Sequence, residues 1–187
     1  MNLSVVPDFT LERELGGAVA GIDEAGRGPW AGPVCTAAVM FPAEGPPREI
    51  VARVRDSKQL SAAEREALFP KLLCCAVIGQ GEASVTEIDE LNILNATHLA
   101  MRRAVADLAQ TPDAAIVDGN RIPDLPCPVR CVVKGDDKSY SIAAASIVAK
   151  VTRDRYMTEL AATNPGYGWE HNFGYGTKLH VEGLEKL

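Results

Sequence analysis

Histidine is scarce in this chain: only three, at positions 98, 171 and 180, stand among 187 residues. The five cysteines, at 35, 74, 75, 127 and 131, form one adjacent pair and one C-x3-C. A structural zinc needs two closely spaced pairs, or one pair matched with spaced histidines, and neither set is present. Reduced, mostly buried thiols are the expectation. No apolar run is long enough to span a bilayer. The segment MNLSVVPDFTLEREL lacks a basic start followed by an apolar stretch. No membrane partner or secretory leader is therefore expected, and the cytoplasm is the default location. The motifs G-x-x-x-x-G-K-[ST], H-E-x-x-H and G-x-S-x-G are all missing. Their absence removes sequence support for P-loop hydrolysis, zinc proteolysis and serine hydrolase chemistry. A basic excess is missing too. The net charge of −6 argues at first against a phosphate-rich partner, but carboxylates that hold cations count as negative only until the cations bind. Repeats, low-complexity tracts and long linkers are also lacking, so residues 1–187 are expected to form one domain.

What is present reads as alternating strands and helices. Residues 18–23 and 34–40 predict two strands joined by a glycine-rich turn, and 76–81 a third. Ser61-x-x-Glu64 has the form of a capping box opening a helix to about residue 73. Thr86-x-x-Asp89 marks a long helix ending before Pro112, with Leu91, Leu94, His98, Met101, Val105 and Leu108 as one buried stripe. On that stripe His98 reads as a core histidine rather than a ligand. Residues 114–118 and 129–133 predict short strands, 141–157 a buried alanine-rich helix, and Thr177 the cap of a last helix. Together they predict an α/β fold with one mixed sheet flanked by helices.

Four places could carry chemistry. In Gly21-Ile22-Asp23-Glu24-Ala25-Gly26-Arg27-Gly28-Pro29 an apolar strand ends in two carboxylates and a glycine turn. Adjacent strand residues point to opposite faces, so Asp23 and Glu24 converge only if regular pleating stops there; alone, the dipeptide reads as a polar hairpin turn. Ile116-Val117-Asp118-Gly119-Asn120 again ends an apolar strand in an acid, although Asp-Gly is equally a plain turn. Val133-Lys134-Gly135-Asp136-Asp137-Lys138-Ser139 does the same ahead of a helix, where either aspartate could simply be an N-terminal helix acid. Three such acids in one small domain suit divalent ions, which need several hard oxygen ligands on a rigid edge. The fourth place is the glycine–aromatic stretch from Gly166 to Thr177, either a structural loop or a surface on which rings stack against sugars or bases.

The runs AGIDEAGRGPWAGPV (20–34), DSKQLS (56–61), EIDELNILNAT (87–97), VDGN (117–120), KGDDKSYSIAAASIVAKVTRD (134–154) and GYGT (174–177) together resemble bacterial ribonuclease HII, in that family's order and over most of the chain from residue 20. The resemblance implies a ribonuclease H-like fold, with three antiparallel strands extended by parallel ones. It implies an endonuclease that cuts the RNA strand of RNA–DNA hybrids and cuts 5′ to single ribonucleotides in duplex DNA, leaving 3′-hydroxyl and 5′-phosphate ends. Asp23, Glu24, Asp118 and Asp136 match the family's catalytic acids, which would hold two ions, Mg2+ or Mn2+, astride the scissile phosphate. Gly26, Arg27 and Gly28 match the turn that would contact the ribose 2′-hydroxyl, and Tyr175 matches the tyrosine that would stack on the neighbouring deoxyribose. Lys58, Lys138 and Ser139 are candidate phosphate contacts.

The chain departs from the family pattern in three ways. Asp137 follows Asp136 in place of a small residue, leaving open which acid faces metal. Phe173 stands where a lysine often precedes Gly-Tyr. The chain stops at Leu187, where relatives continue into a basic segment, so weaker duplex binding is expected. No sliding-clamp motif of the Q-x-x-[IL]-x-x-F-F type is evident, and a monomer is the default. Three other readings are a ribonuclease HIII-like enzyme, for whose extra N-terminal domain there is no room before residue 20, an inactive duplex-binding module, and a generic DNA nuclease of the same fold, for which the Gly26–Gly28 turn and Tyr175 would have no purpose.

Overall fold

The computed structural model describes residues 6–186; the first five residues of the segment read as lacking a leader, and Leu187, lie outside the described residues. Five strands form one mixed sheet in the order β3-β2-β1-β4-β5. They are β1 (Val19–Ala25), β2 (Val34–Met40), β3 (Val77–Ala83), β4 (Ala114–Asp118) and β5 (Val129–Val132). β1–β2 and β2–β3 are antiparallel, whereas β1–β4 and β4–β5 are parallel. The helices are α1 (Thr10–Leu15), α2 (Arg48–Val51), α3 (Ala62–Cys75), α4 (Val85–Ala106), α5 (Tyr140–Thr163), α6 (Trp169–Asn172) and α7 (Lys178–Lys186). Short 3-10 turns occupy Ser57–Gln59 and Gly135–Asp137.

Side-chain parity on β1 decides the layers. Ala20 and Ile22 face α4, packing with Met101, Ala104 and Val105. Val19 packs with Ile142 of α5. On the same face Gly21 lets the α5 backbone come so close that a Cβ there would lie 2.3 Å from the Ser141 carbonyl carbon. Asp23 belongs to this α5 side of the sheet by the same two-residue period. α5 is buried on all sides from Tyr140 to Ala149, wedged between β2 and α3 through contacts among Ala37, Val39, Leu68, Leu72, Ala144 and Val148. The alanine-rich composition is what allows this close approach.

The Glu12 carboxylate anchors the N-terminus of α5. Its Oε1 accepts from the Ser139 hydroxyl at 2.7 Å, the Ser141 N–H at 3.0 Å and the Ser141 hydroxyl at 2.6 Å. Charged hydrogen bonds of this kind contribute about 2 kcal/mol. Glu12→Ala should accordingly lower Tm by roughly 4–8 °C in a thermal melt.

Several expectations change in the structure. Ser61 and Glu64 do form a capping box, but α4 opens on a box made by Ser84 and Glu87 rather than at Thr86. α4 is also interrupted at Asn92, whose φ is 67° and whose Oδ1 accepts from the Leu94 and Asn95 N–H groups. Asparagine tolerates that backbone and caps the restarted helix. The interruption rotates the stripe, leaving Leu91 exposed and His98 half-buried instead of in the core. The buried stripe runs through Ala96, Ala100, Met101, Ala104 and Val105. The cysteines are free as expected, but only Cys35 is buried. No helix among the described residues is long and apolar enough to cross a membrane.

Candidate active site

β1 and β4 lie side by side and parallel, so their C-terminal ends bring Asp23 and Asp118 to one edge of the sheet. The loop from β5 into α5 brings Asp136 to the same edge. One carboxylate oxygen from each of the three lies within 4.8 Å of the others. A divalent ion with oxygens at about 2.1 Å spans roughly 4.2 Å between opposite ligands, close to the size of this trio. Hard oxygen donors without sulfur or imidazole suit Mg2+ or Mn2+ better than zinc.

Asp23 and Asp136 are each only 5% exposed. Burial, reinforced by Glu24 and Asp118, holds the Asp23 carboxyl well above the usual carboxylate range. Burial also raises Asp118, against the opposing pull of the Gly135 N–H, which donates to Oδ1 at 2.7 Å. Three acids crowded at one buried edge form a centre that favours either protons or a cation.

Glu24 stands apart from this trio. β1 stays paired through Ala25, with Asp23 opposite Ala37 and Glu24 opposite Thr36. The pleat therefore continues through both acids, the condition for their convergence is not met, and adjacent side chains diverge. Glu24 instead accepts from Arg27 at 3.0 Å, while still lining the same cleft. Burial raises its carboxyl and Arg27 opposes the rise. Asp137 is also separate, accepting from the Gln59 amide at 2.9 Å; geometry thus favours Asp136 for the cluster.

Lys58 reaches the trio because the Ser57–Gln59 turn is pinned to α5 through the Ser57 N–H and the Ser146 hydroxyl at 3.1 Å. Asp56 caps the turn by accepting the Lys58 N–H. The Lys58 ammonium lies 3.2 Å from Asp136 and 3.6 Å from Asp56. Burial pulls it down, but the two acids hold it above its ordinary value. A cleft of about 230 Å³ contains Asp23, Glu24, Gly26, Arg27, Gly28, Lys58, Asp118 and Tyr175 on its lining. Tyr175 is 47% exposed, and a Cβ at Gly28 would stand 3.5 Å from its ring.

Two of the sequence candidates are not brought there. Ser139 is fully buried, and its hydroxyl caps α5 by accepting the Ile142 N–H. A side chain closed into a helix cap cannot meet a phosphate at the surface. Lys138 is exposed but donates to the Val133 carbonyl at 2.8 Å and is not part of the cleft lining. Arg153, in contrast, escaped sequence reading although it lies inside the matched run 134–154. A charge on a helix reads as solvent-facing, yet Arg153 is 1% exposed.

The family model for ribonuclease HII matches residues 20–187. Ribonuclease HII of Jannaschia sp. (strain CCS1) is 58% identical over 97% of this chain and 89% of its own length. Among solved structures, ribonuclease H2 of Pyrococcus horikoshii superposes with a TM-score of 0.75 at 30% identity, covering 88% of this chain and 83% of that one. Ribonuclease HII of Archaeoglobus fulgidus, solved in a complex with PCNA, gives a TM-score of 0.70 at 28% identity over 90% and 87%. The mixed sheet, the carboxylate edge and these similarities lead to one assignment: the chain belongs to the ribonuclease HII family.

Proposed function

We propose that this chain, an RNA–DNA hybrid endoribonuclease by family, also cuts duplex DNA on the 5′ side of a single ribonucleotide, using two divalent ions, Mg2+ or Mn2+. The observation that carries the reading is the shared cleft: Asp23 and Asp118, two of the three clustered aspartates, line the same space as the Gly26–Gly28 turn and Tyr175, and Lys58 on that lining lies 3.2 Å from the third, Asp136. A generic nuclease needs the acids but has no use for the other two features.

When bound, the ions would acidify the attacking water and take up charge on the phosphate and the leaving 3′ oxygen. Asp23, Asp118 and Asp136 would hold them. Glu24 would join once Arg27 turns from it toward a phosphate, an exchange eased by the 47% exposure of the Arg27 side chain. Surface ion pairs of this kind are weak and easily traded. Backbone groups of the Gly26–Gly28 turn would meet the 2′-hydroxyl, which distinguishes RNA from DNA, and the Tyr175 ring would stack on the deoxyribose beyond it.

Hybrid digestion tests the hydrolytic reading through its ends. Water attack leaves 3′-hydroxyls that a DNA polymerase extends directly, whereas 2′,3′-cyclic phosphates would mean attack by the neighbouring 2′-hydroxyl and would overturn it. Lys58→Ala should weaken duplex binding several-fold and reduce the slope of log K against log salt by about one charge. Titrations at three or more salt concentrations check this, and an unchanged slope would remove Lys58 from the phosphate contacts.

A further inference from the structure

Arg153 is a buried cation that no carboxylate pairs among the described residues. Such a charge is costly unless fixed dipoles solvate it. Here three backbone carbonyls do so. Nε donates to Pro33 O at 2.9 Å, Nη2 to Ala31 O at 2.8 Å and Nη1 to Phe173 O at 2.9 Å. The first two acceptors belong to the segment that continues from the Gly26–Gly28 turn into β2. The third lies two residues before Tyr175. Gly26, with φ of 112°, folds directly over the guanidinium: a Cβ there would lie 2.5 Å from Nε. One backbone bond, from the Trp30 N–H to Gly174 O at 2.8 Å, also joins the two segments.

The planar guanidinium therefore sits between the two segments that carry the recognition elements and bonds both segments. Its helix, α5, also begins just after Asp136, so the same rigid rod fixes the acid cluster at one end and this junction further along. A fork of donors in one plane holds several acceptors at set spacings, which a lysine ammonium does not.

We propose that Arg153 is a positioning residue for ribonucleotide selection: it sets the distance between the ribose-reading turn and Tyr175, so that a ribose and the next deoxyribose are read together. The proposal rests on the single-ribonucleotide reading given under Proposed function. It predicts an uneven effect. A full hybrid presents ribose at every step and depends little on that spacing. A lone ribonucleotide in DNA offers one junction and depends on it strongly, because displacements of about 1 Å in a positioned complex cost large factors in rate.

The test measures kcat and KM for both substrates with wild type, Arg153→Lys, Tyr175→Ala and the double variant, each checked for its Mn2+-induced rise in Tm. Arg153→Lys should lower kcat/KM on the single-ribonucleotide duplex about tenfold more than on the hybrid. In the Tyr175→Ala background the same substitution should leave the ratio of the two substrates nearly unchanged, since the partner it positions is gone. Equal losses on both substrates, or an undiminished shift of the ratio without Tyr175, would overturn the proposal and mark Arg153 as purely structural. Arg153→Gln, which keeps a donor without the buried charge, replaces Arg153→Lys if the latter does not fold. Wild-type enzyme that cuts the hybrid but not the single-ribonucleotide duplex would instead refute the underlying reading, and the proposal with it.

Discussion

Asp118→Asn is expected to reduce hybrid cleavage by about a thousandfold or more, because a ligand to the ions carries several kcal/mol of transition-state charge stabilisation. The same change is expected to raise the Tm of the metal-free protein. Burial and the nearby Asp136 hold the Asp118 carboxyl above its ordinary value, so its ionised form opposes folding. Asparagine keeps an oxygen for the Gly135 N–H and sheds the charge. A carboxyl raised by folding contributes stability below its unfolded pKa, about 3.9, and loses it as pH rises through the folded value. In chelator, the Tm advantage of Asp118→Asn should therefore widen from about pH 4 upward. Mn2+ or Mg2+ should raise the wild-type Tm by mass action and the variant's much less. Scanning calorimetry and a cleavage assay on one preparation check all three effects. Activity near wild type, or a lower metal-free Tm, would contradict the site.

Tyr175→Ala is expected to lower kcat/KM on the single-ribonucleotide duplex by ten- to a hundredfold, as stacking on an aromatic contributes about 1–3 kcal/mol. The loss on a full hybrid should be smaller. The ring is half exposed at the cleft rim, so its removal leaves no cavity in the core and folding should be spared. The Lys150 ammonium lies 5.9 Å from the ring centroid and would keep part of the phosphate attraction. Parallel kinetics on the two substrates check this, and equal losses would deny Tyr175 a part in junction recognition.

Much of this architecture can be read in the chain because local signals agree with their setting. The Ser61–Glu64 box starts α3, and the apolar runs ending in Asp23 and Asp118 are neighbouring strands whose ends coincide. Asp136 lies in the turn between β5 and the buried helix, as the acid-after-strand pattern suggested. What was not legible depends on direction or on long-range contact. Whether Glu24 joins Asp23 is decided by pairing with β2, a partner ten or more residues away. The interruption at Asn92 depends on a backbone state that periodicity does not register. Ser139 looks like an exposed loop serine until Glu12, 127 positions earlier, closes over it. Arg153 looks like a solvated helix charge until the loops from Ala31 to Pro33 and around Phe173 supply its acceptors.

The central claim is that one cleft unites metal-dependent hydrolysis with recognition of a lone ribonucleotide. Its most direct test is to map cleavage of an end-labelled DNA duplex carrying one ribonucleotide, with Mg2+, with Mn2+ and with chelator, beside a full hybrid and an all-DNA duplex. The account predicts a single cut on the 5′ side of the ribonucleotide with either metal, cutting of the hybrid, and none of the all-DNA duplex or in chelator. Cutting of the hybrid alone, or cleavage that persists in chelator, would contradict it.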